Sequence, residues 1–358
     1  MAFDRLCERR EAILFEYLRA GAAAGAKAPR RRTRYDLAVR PARSSRSQLE
    51  PGARASLRPI ASASFVPVGG GYVPRIHLRK PLLALRGDPD ALVVVLAWVD
   101  ATVRVKVLAT GVCTSEDVEW AILTARRHAA VDDDPGELLR LVAGHPVLGA
   151  LAAAGDPRLA ATPTVFESLT IAILEQLVTG QEAHAAARRL WRIAGAPVAG
   201  TGLVAAPTPQ AIHAVPMWRL HELGVASRRA TTLHLAAARG AAIERLATHP
   251  PEVFLERLQS LPGIGPWTAN AVARDALGWA DAVPVGDFHA PFTITEAFGR
   301  TGHHRGDMAA ANEAMLEVLA PFRPHRARVA LLLERHAMQN RTWRPPKVDA
   351  HRREPWKY

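Results

Sequence analysis

Two stretches carry residues whose types and spacing could do chemistry together. One is Leu261-Pro262-Gly263-Ile264-Gly265-Pro266-Trp267-Thr268-Ala269; the other is Ala282-Val283-Pro284-Val285-Gly286-Asp287-Phe288-His289. A carboxylate fixed at a turn, as Asp287 would be, can stabilise positive charge that develops beside it. It can also align or deprotonate an attacking water. The first stretch supplies the complement, an anion site. Backbone N–H groups left unpaired at a glycine-rich turn, with the positive end of a helix dipole behind them, suit a phosphate. A plainer reading stands beside each: Asp287 could simply cap the helix that follows it, and Trp267 and Phe288 could be core packing. Asp275 and Asp281, the nearest rival acids, read as a helix-surface residue and a turn residue.

The elements that must position these residues are short helices. Residues 251–258 read as one, with apolar Val253, Phe254, Leu255 and Leu258; residues 267–277 read as the next, stopped by Gly278. Pro262 to Gly265 leave room only for a tight hairpin, and glycine tolerates the angles it needs. This is a helix–hairpin–helix signature. Asp287 is expected to open a further helix running to Phe298.

A chain of 358 residues with 49% apolar content can bury a real core and divide into two or three domains. It carries 46 Lys and Arg against 34 Asp and Glu, a net charge of +12, which suits a polyanion. Residues 27–46 hold eight basic residues and one acid, so +7 of that +12 sits in one segment. That segment reads as a phosphate-contacting arm or as a solvated leader. Two cysteines, Cys7 and Cys113, exclude a disulfide framework and a four-thiolate metal site. No secretory leader is visible, and the longest apolar run, residues 91–99, is too short to span a bilayer. A cytoplasmic protein is expected.

Along the chain, residues 1–55 read as a basic, flexible leader and 56–130 as a small α+β domain. Residues 131–340 read as an all-helical domain with the helix–hairpin–helix at 251–277, and 341–358 as a polar tail. The fold class is therefore mixed: an N-terminal antiparallel sheet domain, then a mainly α-helical bundle. Val103-Arg104-Val105-Lys106-Val107 alternates at period two and reads as a half-buried strand; residues 90–99 read as a strand or a short helix. Gly69-Gly70-Gly71 is a turn. Thr114 or Ser115 caps a helix to about His128. Asp132-Asp133-Asp134-Pro135 reads as a helix start rather than a metal site, and Thr164-Val165-Phe166-Glu167 as a capping box. The helix behind it places Phe166, Leu169, Ile173 and Leu177 at three- and four-residue spacing.

From about residue 162 to 336 the sequence resembles the helix–hairpin–helix DNA glycosylases. The hairpin L-P-G-I-G-x-W-T-A, a spacer of about one helix and a Gly/Pro-rich turn ending in Asp occur in that family's order. Within it, the chain is most similar to the bacterial 3-methyladenine DNA glycosylase II (AlkA-type) branch. The resemblance implies an enzyme that flips an alkylated purine out of double-stranded DNA, cuts its N-glycosidic bond and leaves an abasic site. It implies Asp287 as the catalytic acid, Trp267 and Phe288 as the base pocket, and Gly263, Gly265, Thr268, Gln176 and Leu177 at the DNA, Leu177 as the wedge. A buried helix-end leucine is the plainer reading of Leu177. Trp267 fills the slot of the Schiff-base lysine in bifunctional relatives, so no backbone cutting is expected. The family also implies a monovalent cation on the carbonyls of Gln259, Leu261 and Gly263. No other cofactor is expected, and no iron–sulfur cluster, since the C-terminal half has no cysteine. The partner expected is double-stranded DNA, with no membrane, and a monomer. Three positions depart from the family: Glu175 where glycine is usual, Ala271 in place of a pocket tyrosine, and Glu334 near a pocket tryptophan. A non-catalytic DNA- or lesion-binding protein, and a glycosylase for another damaged base, remain alternatives.

Overall fold

Period-two alternation builds the first layer. The computed structural model describes residues 57–68, 82–99, 102–199, 201–300 and 307–339. The 1–55 leader with its basic arm, the Gly69-Gly70-Gly71 turn and the 341–358 tail lie outside the described residues. Strands β1 (Arg58–Phe65), β2 (Leu82–Arg86), β3 (Leu92–Val99) and β4 (Thr102–Ala109) form an antiparallel sheet in the order β1-β4-β3-β2. Val103, Val105 and Val107 join Leu92, Val94 and Leu96 on one face, against α1 (Ser115–His128). Thr114 and Asp117 close a reciprocal capping box at the start of that helix. The ambiguous stretch 90–99 proves to be the strand β3. It pairs on both sides, and residues 92–96 are buried on both faces. A strand covered on both faces has no polar side to show, so periodicity could not separate it from a buried helix.

What buries the second face is a correction to the all-helical reading of 131–340. Strands β5 (Ala196–Val198) and β6 (Leu203–Ala205) form a short hairpin, and Val198 packs with Ala91 and Val93. Each strand has three residues, below the length at which alternation can be read.

The remaining elements are α2 (Gly136–Val142), α3 (Leu148–Ala154), α4 (Val165–Glu175), α5 (Gly180–Ala194), α6 (Pro209–His213), α7 (Met217–Glu222), α8 (Ser227–Ala237), α9 (Gly240–Arg245), α10 (Pro251–Gln259), α11 (Pro266–Leu277), α12 (Ala290–Ala297), α13 (Met308–Leu319) and α14 (Arg326–Gln339). They surround two apolar cores. Leu169, Ile173, Leu233, Phe254 and Val272 join α4, α8, α10 and α11. Leu138, Leu148, Ile294, Met315 and Leu333 join α2, α3, α12, α13 and α14. Among the described residues no helix is long and apolar enough to cross a membrane.

Buried polar groups fix how the elements meet. The three acids before α2 do three separate jobs. Asp132 pairs with Arg126, Asp134 accepts the Gly136 amide at 2.8 Å, and Asp133 takes the Arg328 guanidinium and the Leu159 amide. At the start of α4, Thr164 accepts from the Glu167 amide, one half of the expected capping box. The amides of Val165 and Phe166 are taken by Glu244 of α9, at 3.1 and 2.7 Å, a partner 78 and 79 residues away in sequence. Asp281, read from sequence as a turn residue, is buried and holds the Arg326 side chain and amide, which fixes the start of α14.

Candidate functional site

The hairpin between α10 and α11 is shaped by one glycine above all. Gly263 has φ +87°, and a Cβ there would lie 2.1 Å from Thr232 Oγ1 of α8. Position 263 therefore excludes side chains both by backbone angle and by space. Gly263→Ala is expected to cost about 2 kcal/mol or more of stability. Urea denaturation measures it, and Thr232→Ala should recover only part, since it relieves the contact and leaves the angle. At Gly265 the surroundings are open. Gly263 and Gly265 are both exposed. Among the described residues the amides of Gly263, Gly265 and Trp267 have no protein acceptor, and α11 begins behind them with Pro266. This is an anion-ready helix start.

The loop after α4 is stitched to this hairpin. Gln176 Nε2 donates to Gly263 O at 3.0 Å and to Thr268 Oγ1 at 2.9 Å. Thr268 is 2% exposed. Expected at the DNA, it instead serves the turn from inside, because its hydroxyl faces Gln176. Gln176 likewise spends its amide on the hairpin. The next residue breaks the periodic reading of α4: Leu177 is 95% exposed, with φ +55°. A leucine in the left-handed region and bare to solvent carries backbone strain and an apolar exposure that folding alone does not favour. Helical spacing placed it on the buried face, but α4 ends at Glu175, before Leu177 can follow that face.

A residue the sequence did not flag holds this loop. Arg229 of α8 is 8% exposed; it donates to Leu174 O at 2.8 Å and to Gly224 O at 3.2 Å. Its fork ties the last turn of α4 to the loop before α8. Nothing local marks it, since Arg228-Arg229 reads as a solvated pair at a helix start. Arg229→Ala is expected to cost about 2–3 kcal/mol, the range for charged hydrogen bonds with buried acceptors left unmet. Arg229→Lys should recover less than half, because one ammonium cannot span both carbonyls. Equal stability of the alanine variant and the wild type would show that the fork is not needed.

Asp287 stands across from the hairpin, half-buried. It does not open the helix, as sequence suggested; α12 begins at Ala290, three residues later. Its Oδ1 accepts from the amides of His289 and Ala290 at 2.7 and 2.8 Å. Its Oδ2 accepts from Trp267 Nε1 at 2.9 Å. Capping and presentation are thus one arrangement: two amides and an indole fix the carboxylate. Gly286, at φ +88°, makes the turn before it and donates its amide to Asn312 Oδ1 of α13 at 2.8 Å. Asn312 is another contributor that sequence missed, being 26 residues away on a helix. Phe288 is 49% exposed and meets the His289 ring edge-on, with centroids 5.0 Å apart.

Behind Trp267, the same face of α11 carries Ala271, which is buried, and Arg274. Arg274 is paired with its neighbour Asp275 through two bonds, at 2.7 and 3.3 Å. The Asp275 carboxylate is the main cause holding the Arg274 proton more tightly than usual. Glu175, half-buried at the end of α4, has its pKa raised by burial and by the charges of Asp275 and Asp287, against the pull of Arg274. On α14, burial pushes Glu334 up to about 7; Arg274 opposes that, and Asp287 and Asp275 reinforce it. Glu175 and Glu334 thus each feel the charge of Asp287 and of the Arg274–Asp275 pair.

Of the carbonyls that could hold a cation, Gly263 O already accepts from Gln176 and Leu261 O from the Ile264 amide at 3.1 Å. Each carbonyl oxygen keeps a second lone pair, and neutral oxygens suit a hard monovalent ion.

No protein-family model matches the sequence, and no curated protein matches it. Solved structures do. The chain is similar to a 3-methyladenine DNA glycosylase from Archaeoglobus fulgidus, at TM-score 0.60 and 23% identity, over 73% of this chain and 88% of that one. It is also similar to an 8-oxoguanine glycosylase/lyase from Clostridium acetobutylicum, solved with double-stranded DNA, at TM-score 0.52 and 15% identity, over 72% and 88%. At these identities the likeness establishes the fold alone, one shared with these two DNA glycosylases.

Proposed function

We propose that this chain, built on the glycosylase fold, is a monofunctional DNA glycosylase that releases alkylated purines of the 3-methyladenine type and leaves an abasic site. The observation that carries the reading is Asp287: half-buried, held by Trp267 Nε1 and two amides, beside a hairpin whose glycines face outward. In the proposed complex the unpaired amides of Gly263 and Gly265 hold a phosphate of double-stranded DNA. That contact brings the neighbouring deoxyribose to Asp287. As the N-glycosidic bond lengthens, positive charge grows on the sugar, and a carboxylate whose orientation is already fixed stabilises it without reorganising. The same group can orient the attacking water. Leu177, bare at the tip of its loop, fills the gap left by the flipped base. Trp267 and Phe288 offer flat faces to that base, and a cationic base gains about 0.5–2 kcal/mol per ring.

The Trp267 indole cannot form a Schiff base, so backbone cleavage is not part of the proposed reaction. The carbonyls of Gln259, Leu261 and Gly263 would hold a monovalent cation at the hairpin, reinforcing its grip on the phosphate. The test is base release from duplexes that each carry one defined lesion, followed by alkaline scission at abasic sites. Release of an alkylated purine is expected. Tight duplex binding with no release from any lesion would replace this reading with a non-catalytic binder, and release confined to oxidised or deaminated bases would move the substrate class.

A further inference from the structure

On the reading that Leu177 fills the gap left by a flipped base, we propose that Gln176 is its positioning residue. The Gln176 amide joins the loop that carries the wedge to the hairpin that grips the phosphate, and the two move as one body. Gly263 O can only accept, so the group facing it is the NH2 of Gln176. Both N–H bonds of that group are used, one on Gly263 O at 3.0 Å and one on Thr268 Oγ1 at 2.9 Å. Gly263 is thereby shared: its amide is left for a phosphate, and its carbonyl holds the wedge loop. It has little room to shift, because a Cβ there would lie 2.1 Å from Thr232 Oγ1 of α8.

The same helix frames the other side of the loop. Three residues before Thr232, Arg229 donates to Leu174 O at 2.8 Å, in the last turn of α4. Beyond the wedge, Thr179 and Glu182 close a reciprocal capping box at the start of α5. Anchors therefore stand at Leu174, Gln176 and Thr179, and Leu177 and Val178 alone lie between the last two. That short span holds a leucine at φ +55° and 95% exposed, a conformation an untethered loop would leave. A wedge already in place loses no freedom when a base leaves the stack. Its affinity for the vacated site falls only by the fraction of molecules whose loop is elsewhere, and removing the Gln176 amide raises that fraction. The resemblance places Gln176 on the DNA itself, and Thr268 separates the two roles. It is 2% exposed and cannot touch a duplex, so an effect of its hydroxyl on DNA must travel through Gln176.

The experiment measures, by fluorescence anisotropy, the affinity of the whole chain for a duplex with one tetrahydrofuran abasic analogue and for the same duplex intact. No base is released, so the result does not depend on glycosylase chemistry. The wild type should prefer the abasic duplex by about tenfold, and Leu177→Ala should remove most of that preference. Gln176→Met, of similar length but without a donor, should cut it about fivefold, and Thr268→Val about twofold. The double variant Gln176→Met with Leu177→Ala should do no worse than Leu177→Ala alone, because nothing is left to position. The two substitutions approach one hydrogen bond from opposite ends, so either decides if the other fails to fold. A lower urea midpoint with an unchanged preference would make the bond purely structural and overturn the proposal. A Gln176→Met loss that adds in full to that of Leu177→Ala, or one that Thr268→Val does not share, would also overturn it, since Gln176 would then act on DNA directly. A wild type with no preference ends the wedge and this inference together, while base release from lesions still decides the glycosylase reading.

Discussion

Asp287→Asn is expected to slow base release by about a hundredfold or more, the usual consequence of removing one group aimed at charge in a transition state. The change is nearly isosteric. The amide oxygen can still accept from His289 and Ala290, so the start of α12 should hold. At the other atom an NH2 group would face the Trp267 indole N–H, donor against donor, and that hydrogen bond is lost at a cost of about 1 kcal/mol. The fold should tolerate such a loss; the proposed chemistry should not, because a neutral amide offers no counter-charge to the sugar. Duplex affinity should stay within about twofold to threefold of the wild type, since in the proposed complex hairpin amides and not Asp287 hold the phosphate. Release and affinity are measured on the same duplex, so a binding defect cannot pass for a chemical one. Wild-type rates from the asparagine variant would remove Asp287 from the reaction.

Arg328→Met is expected to lower stability by about 3–5 kcal/mol, the range for taking one member from a buried ion pair. Arg328 is 4% exposed, bonds Asp133 with both terminal nitrogens and reaches Pro157 O at 3.0 Å. Methionine keeps the bulk but strands the Asp133 carboxylate, which is one-fifth exposed, so the loss should fall at the lower end of that range. Urea denaturation gives the number. Asp133→Leu in the same chain should recover part of it, because two apolar groups replace an ion pair more cheaply than one charge left alone. A loss under about 1 kcal/mol in the single variant would mean that water reaches Asp133 and the pair is worth no more than a surface one. The consequence extends along α14. Arg326 to Asp281, Arg328 to Asp133 and Arg335 to the Asp156 carbonyl clamp α14 along its length, and Glu334 hangs from that helix.

Whatever depends on neighbours within about one turn of chain could be read in advance. Alternation at 103–107 gave a strand with a wet face; Thr114 with Asp117 gave a helix start; Gly278, at φ +69°, gave a helix end. Gly263 and Gly286, both at positive φ, marked the two turns that frame the site. Each of these is a contact between residues close in sequence, and composition there records it directly.

The residues alone determined that a glycine turn leaves backbone amides bare before α11 and that an acid follows Gly286, since both are matters of local angle and spacing. Folding in three dimensions decided what those parts face. Helical spacing sent Leu177 inward, and the early end of α4 turned it out; Thr268 faced outward on paper, and Gln176 covers it. Arg229, Asn312 and Glu244 act on partners 26 to 79 positions away. A string of residues carries no mark of which distant groups will share one desolvated volume.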